Sequence, residues 1–394
     1  MTRAILVLLA LGVGATPSRF DELKLILARE PGDGDLRVRQ FIERAGGTPI
    51  IEGSTAVFLV EGDPGAPPRI VGDFNGWGEG KAGAAGATLE RLGSTRYFFR
   101  RVELPMTARI EYLVASGGRE VLDPRNPRRV EAFSESHSEL RMPGYAPLAN
   151  TSEEPAVPRG RVVSFEHTSE LRGNTRRVDV YLPPEYDADP RRVYPEAWLG
   201  DGTVYVEGLS SPRILDHLIA EGRLEPLVAV FVDPVDRRLE YGVHAGFRRM
   251  MVSELVPRIA REYRVTNLPE RRLVAGGSRG GQAAIDLWLD APEVFGLCGA
   301  WAPAVAPRQV TELLAGRSSQ ARAVLIRALY DDEWGPDAPM LRDRLTALGA
   351  RVTYLEEPQG HNRGAWPDFM ARVLIEAFPG PRPAPGAGQH LQRR

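Results

Sequence analysis

The stretch LVAGGSRGGQAAID, from Leu273 to Asp286, sets four glycines around one serine and one arginine. Its opening is an apolar, strand-like run, whereas Ala283, Ala284 and Leu287 recur at the spacing of a helix face. The reading is therefore a strand over 272–275, a tight glycine turn, and a helix from about Arg279. Within the turn, Gly276-Gly277-Ser278-Arg279-Gly280 fits Gly-x-Ser-x-Gly in the strand–turn–helix setting that a nucleophile elbow requires. So sharp a turn strains the φ/ψ of the serine and leaves no room for a bulky Cβ beside it. A phosphate loop would need Gly-x-x-x-x-Gly-Lys-Ser/Thr and a dinucleotide loop Gly-x-Gly-x-x-Gly; neither is present in this stretch. The competing reading is a glycine-rich connection without chemistry.

The rest of the chain decides between them. A serine hydroxyl is a poor nucleophile unless a histidine takes its proton and an acid orients that histidine. On an α/β sheet such partners follow the serine in the order acid, then histidine, each on a loop at the carboxyl end of a strand. After a strand over 323–329 comes Tyr330-Asp331-Asp332-Glu333, and after a strand over 351–355 comes the loop Pro358-Gln359-Gly360-His361 leading to Trp366. Asp331, directly behind its strand, is the chosen acid, with Asp332 and Glu333 as alternates. Of the six histidines, His137 falls in a β-rich stretch, His167 in an early strand, His217 on a helix and His390 in the tail, leaving His244 as the rival to His361.

With 394 residues the chain exceeds one ordinary domain. Fifty basic against 52 acidic side chains leave a net charge of -2, so no global field points to nucleic acid or an anionic membrane. One cysteine, Cys298, excludes an intrachain disulfide and a cysteine-built metal site. Residues 1–15, with an apolar run over 4–11 and small residues over 13–15, read as an export signal, placing the protein in the periplasm or outside the cell; a buried first helix in a cytoplasmic protein is the alternative. The run is too short for stable membrane insertion. Residues 16–48 read as a helical preface, 49–145 as an all-β sandwich, 146–160 as a linker, 161–378 as a mostly parallel α/β sheet with helices on both faces, and 379–394 as a disordered tail.

From about Arg161 to Phe378 the chain resembles the esterase D family of putative esterases, α/β hydrolases that include enterochelin esterases, feruloyl and acetyl-xylan esterases and mycolyltransferases. The match rests on Trp198-Leu-Gly-Asp201-Gly202, on Arg237-Arg-Leu-Glu240-Tyr241 with Ser253 to Pro257, on Gly276 to Gly281, and on Gly360-His361 with Trp366. The resemblance implies a triad of Ser278, Asp331 and His361, an oxyanion hole from the backbone N–H groups of Arg279 and Thr203, and substrate contacts from Asp201, Arg237, Glu240 and Trp366. It implies no metal and no organic cofactor, a small-molecule or glycan-linked ester as substrate, no nucleic acid, and no particular oligomeric state. The stretch 49–145 resembles the immunoglobulin-like, early-set sandwich preceding enterochelin esterases and also glycogen-binding modules, so Gly72-Asp-Phe-Asn-Gly-Trp77 reads either as a sugar platform or as a turn fixed against the core.

The leading expectation is a serine carboxylic-ester hydrolase acting through an acyl-enzyme on a siderophore-type ester. The alternatives are a feruloyl or acetyl-xylan esterase, and a non-catalytic binding protein on the same fold. Two departures stand out. Arg279 occupies a position the family usually fills with an apolar residue; it either attracts an acidic substrate or pairs with a loop carboxylate. Gln359 replaces the first glycine of the family's Gly-Gly-His, which alters the loop and hence the choice of substrate.

Overall fold

The computed structural model describes residues 18–30, 32–79, 83–132, 135–153, 156–242, 245–305 and 321–382. The export-signal reading at 1–15, His244 and most of the tail, His390 included, lie outside them. The chain divides into two compact units: Met1–Ile70 with Thr88–Met106 and Leu113–Pro127, and Val71–Ala87 with Thr107–Tyr112 and Arg128–Arg394.

In the first unit the helical preface forms as α1 (Arg19–Arg29) and α2 (Gly34–Ala45). Ser18 and Asp33 start the helices by accepting the N–H of Asp21 and Leu36, and α2 stops at Gly46, which is left-handed at φ 80°. Their apolar stripe, Phe20, Leu23, Val38 and Ile42, buries against Val57, Leu59, Tyr97 and Phe99. Those four residues belong to the antiparallel strands Thr55–Glu61 and Tyr97–Glu103.

The second unit is built on eight strands: β1 (Arg161–Ser169), β2 (Asn174–Leu182), β3 (Glu196–Gly200), β4 (Val228–Val232), β5 (Arg272–Gly277), β6 (Leu297–Trp301), β7 (Arg322–Tyr330) and β8 (Arg351–Gly360). Their order across the sheet is β1-β2-β4-β3-β5-β6-β7-β8. The pairs β1–β2 and β2–β4 are antiparallel and the remainder parallel. Every residue of β4 is buried, because Val228, Val230 and Val232 enter the core on one face while Ala229 and Phe231 enter it on the other.

Helices α4 (Arg279–Asp290) and α5 (Ala338–Ala347) cover the first face through Ala284, Ile285, Trp288, Leu341 and Leu345. Helices α3 (Ser211–Ala220) and α6 (Trp366–Ala377) cover the second through Ile214, Leu215, Phe369 and Val373. This is the sheet the sequence leads one to expect, with strands longer at their ends: β5 runs to Gly277 rather than Ala275, and β7 spans Arg322–Tyr330 rather than 323–329. Strand β8 runs to Gly360 rather than Leu355, because its pairing with β7 continues past a register shift at Ala328/Tyr330 as far as Tyr330↔Gly360. Pro358 is tolerated there since β8 is an edge strand.

The stretch read as a linker has no helix or strand in its described residues, yet it is fastened. The N–H groups of Leu148 and Ala149 both donate to Asp368 Oδ1 at 2.9 Å. The same unit carries the irregular turn Asp73–Gly78 and the antiparallel pair Arg129–Ala132 and Glu135–Arg141. Among the described residues no helix is long and apolar enough to cross a membrane.

Candidate active site

Ser278 sits between the end of β5 and the start of α4, at φ 55° and ψ -124°. An L-residue adopts this conformation only under strain, and here the strain is held from several sides. Its N–H donates to the Trp301 carbonyl at 3.0 Å, and its own carbonyl accepts the N–H groups of Gln282 and Ala304, each at 3.1 Å. The flanking glycines are sterically required: a Cβ on Gly276 would stand 2.5 Å from the backbone of Gly280, and one on Gly277 would stand 2.3 Å from Trp301 Nε1. The serine itself is half-buried and reachable.

At the ends of β7 and β8, His361 Nδ1 lies 2.8 Å from Asp331 Oδ2. The other carboxylate oxygen accepts the N–H groups of Trp334 at 3.0 Å and Glu333 at 3.2 Å. Burial pushes the Asp331 pKa up, but the hydrogen bond with His361, that ring's charge and the two N–H donors outweigh it and hold the carboxyl below its ordinary value. The alternates Asp332 and Glu333 are exposed. The remaining described histidines have other partners: His137 meets Glu111, His167 meets Glu254, and His217 meets the Ser152 carbonyl.

The other expected site residues divide sharply. Arg279 opens α4 with its side chain exposed and, among the described residues, no carboxylate in ion-pair contact. The expectation of a salt bridge is therefore not met there. Thr203 does not offer a free N–H: that group donates to Asp233 Oδ1 at 2.8 Å, and the hydroxyl donates to the same carboxylate. An N–H already committed to an anion is no oxyanion donor, which corrects the oxyanion assignment of Thr203.

Asp201 and Glu240 are likewise corrected as substrate contacts, since both are buried and each is paired with an arginine. Arg237 reaches Asp201 with two bonds of 2.7 and 3.0 Å, and Arg176 reaches Glu240 with two of 2.8 and 2.9 Å. Arg237 commits Nε and Nη2 to Asp201, while its side chain stays 38% exposed. Trp366 stays at the site, edge-on to the His361 ring at 6.5 Å between centroids and stacked on Tyr205 at 6.4 Å.

Sequence reasoning missed the residues that grip the histidine loop. Asp73 Oδ2 accepts Asn362 Nδ2 at 2.8 Å and the Glu111 N–H at 2.7 Å, and Arg109 Nη1 donates to Asn362 Oδ1 at 3.1 Å. The one available signal was Asn362 itself, adjacent to His361 in the chain. Nothing local could pair it with a residue 289 positions away. Trp77 is no open platform, because its indole N–H donates to Asp73 Oδ1 at 3.2 Å and its ring packs against His137 at 4.6 Å.

The profile of the family described as putative esterase matches residues 169–372. Iron(III) enterobactin esterase of Escherichia coli O6:H1 (strain CFT073) is 28% identical over 275 residues, 66% of this chain and 67% of its own. The endo-1,4-beta-xylanase/feruloyl esterase of Xylanibacter ruminicola is 26% identical over 156 residues, 36% of this chain and 22% of its own. Among solved structures, the ferric enterobactin esterase of Salmonella typhimurium superposes with a TM-score of 0.69 at 20% identity, over 86% of this chain and 98% of that one. That likeness shows a shared α/β-hydrolase-type fold.

Proposed function

Since the chain belongs to the putative esterase family and is a carboxylic-ester hydrolase, we propose that it works through an acyl-enzyme with Ser278 as nucleophile, His361 as general base and acid, and Asp331 as the group that orients the imidazole. Ser278 Oγ bonds to the ester carbonyl carbon while its proton passes to His361 Nε2. The tetrahedral intermediate collapses as the alcohol leaves with that proton, and water repeats the sequence to release the acid. The observation that carries this reading is the 2.8 Å bond from His361 to Asp331 in a unit that also holds Ser278 at φ 55°. The backbone N–H of Arg279, first in α4, is the oxyanion donor that remains; one such donor contributes roughly 3 to 4 kcal/mol of barrier lowering.

For substrate we favour a siderophore-type, anionic ester. Arg279, exposed and without an ion-pair partner among the described residues, supplies a cation next to the nucleophile. The enterobactin esterase relative extends over two thirds of the chain, whereas the feruloyl esterase match is shorter. The polysaccharide reading is weakened further by Trp77, whose indole N–H and ring are already occupied. Turnover of a ferric catecholate trilactone set against methyl ferulate and acetylated xylan tests this choice. On the apolar start at 4–11 with small residues at 13–15 we also place the protein in an exported compartment, which a mature N-terminus near Thr16 would support.

A further inference from the structure

We propose that Asp73 is a positioning residue for His361, acting through Asn362 and the backbone of the histidine loop. The proposal rests on the reading of His361 as the base. Asp73 is 2% exposed and serves three donors at once, the Glu111 N–H, Asn362 Nδ2 and Trp77 Nε1. A buried carboxylate is costly to desolvate, so its retention calls for a purpose that an apolar side chain could not serve. The Asn362 amide is fixed at both ends, for its nitrogen donates to Asp73 while its oxygen accepts Arg109 at 3.1 Å and the Ala365 N–H at 3.0 Å.

The backbone around His361 is gripped as closely. A Cβ on Gly360 would fall 2.1 Å from Asp73 Cγ, so the carboxyl group is seated directly against the residue before the histidine. On the far side of the loop, a Cβ on Gly364 would fall 2.1 Å from Glu111 Oε1 and 2.5 Å from Arg109 Nη2. Arg109 is itself locked between Glu111 and Glu139, each at 2.8 Å. Trp77, which steadies Asp73, is held left-handed at φ 57°, a conformation a tryptophan keeps only where its surroundings impose it.

Asp331 fixes one nitrogen of the imidazole, and a ring held at a single point still shifts with its own Cα. The Asp73–Asn362 bond supplies the second constraint by setting the path of the backbone that carries the ring. An error of about 1 Å in the base's position costs on the order of a hundredfold in rate.

The test is a double-mutant cycle at pH 8 on p-nitrophenyl butyrate, comparing Asp73→Asn, Asn362→Asp and the reciprocal double variant with wild type. Asp73→Asn removes the charged acceptor, and Asn362→Asp sets two carboxylates face to face. The double variant restores a bond in the opposite sense, with the carboxylate at position 362 still accepting from Arg109, but the amide nitrogen that makes it stands where Asp73 Oδ2 accepted the Glu111 N–H, so that buried donor loses its acceptor. Each single variant is expected to lower kcat about tenfold or more with KM changed less than about twofold, and the double variant to recover part of that loss, exceeding the product of the singles. Should Asp73→Asn fail to fold, Asn362→Ala at a partly exposed site gives the same reading through its kcat. Singles with undiminished kcat, or a double variant no better than the product of the singles, would overturn the positioning role. Ser278→Ala and His361→Ala measured alongside separate the two levels: activity surviving in them refutes the triad, whereas its loss in them without coupling in the cycle refutes only the role of Asp73.

Discussion

Asp331 gives one carboxylate oxygen to His361 Nδ1 at 2.8 Å and the other to the N–H groups of Trp334 and Glu333, so the acid is fixed in place before it fixes the imidazole. Asp331→Asn keeps the shape but leaves the ring free to take the wrong tautomer; kcat should fall by about 10³ to 10⁴. Asp332→Asn and Glu333→Gln, at exposed positions of the same loop, should stay within about threefold of wild type in steady-state kinetics, as surface changes ordinarily do.

The elbow admits a steric test. Gly277→Ala would set a methyl group 2.3 Å from Trp301 Nε1, in a core with no room to give. The expected loss is roughly 1 to 3 kcal/mol of stability, read as a lower midpoint in denaturant, together with lower kcat as the serine is displaced. A variant as stable and as active as wild type would show that the turn is looser than described.

Legibility in the sequence followed the range of the forces involved. Gly276 to Gly281 announced strand, turn and helix because close backbone approach demands glycine, and the order Ser278, Asp331, His361 follows the strands of one sheet. Thr203, Asp201 and Glu240 were misread because their fates depend on partners distant in the chain: Asp233, Arg237 and Arg176. The turn at Asp73 posed the same difficulty. Its composition suggested a sugar platform or a structural corner, and only the fold brings it to Asn362.

Arg279 next to the nucleophile should act on charge. Arg279→Leu should raise KM for an anionic ester about three- to tenfold more than for a neutral ester of similar size, with kcat on the neutral ester nearly unchanged. The difference should shrink with rising salt, since an exposed cation is screened. Equal changes on both substrates would mean that Arg279 acts on the turn rather than on the ligand.

Asp73 also makes a prediction in pH. Burial, followed by the neighbouring Glu111 charge, raises its pKa from 3.8 to about 7 despite the N–H of Glu111, Arg109 and Asn362. A folded pKa above the unfolded one means that the native state holds the proton more tightly, so this group's contribution to stability is greatest at low pH and declines as pH rises from about 4 to about 7. Thermal melts across that window should show the wild type losing ground to Asp73→Asn by up to about 1.4 kcal/mol per pH unit. A difference that stays constant with pH would place the folded pKa of Asp73 near its ordinary value.

The central claim is that Ser278 is the nucleophile of an acyl-enzyme. Treatment of folded wild type and Ser278→Ala with a fluorophosphonate probe, followed by peptide mass mapping, tests it most directly. Labelling confined to Ser278, absent from the alanine variant and accompanied by loss of p-nitrophenyl butyrate hydrolysis, is the predicted result. Equal labelling of Ser278→Ala, or full hydrolysis by that variant, would contradict it.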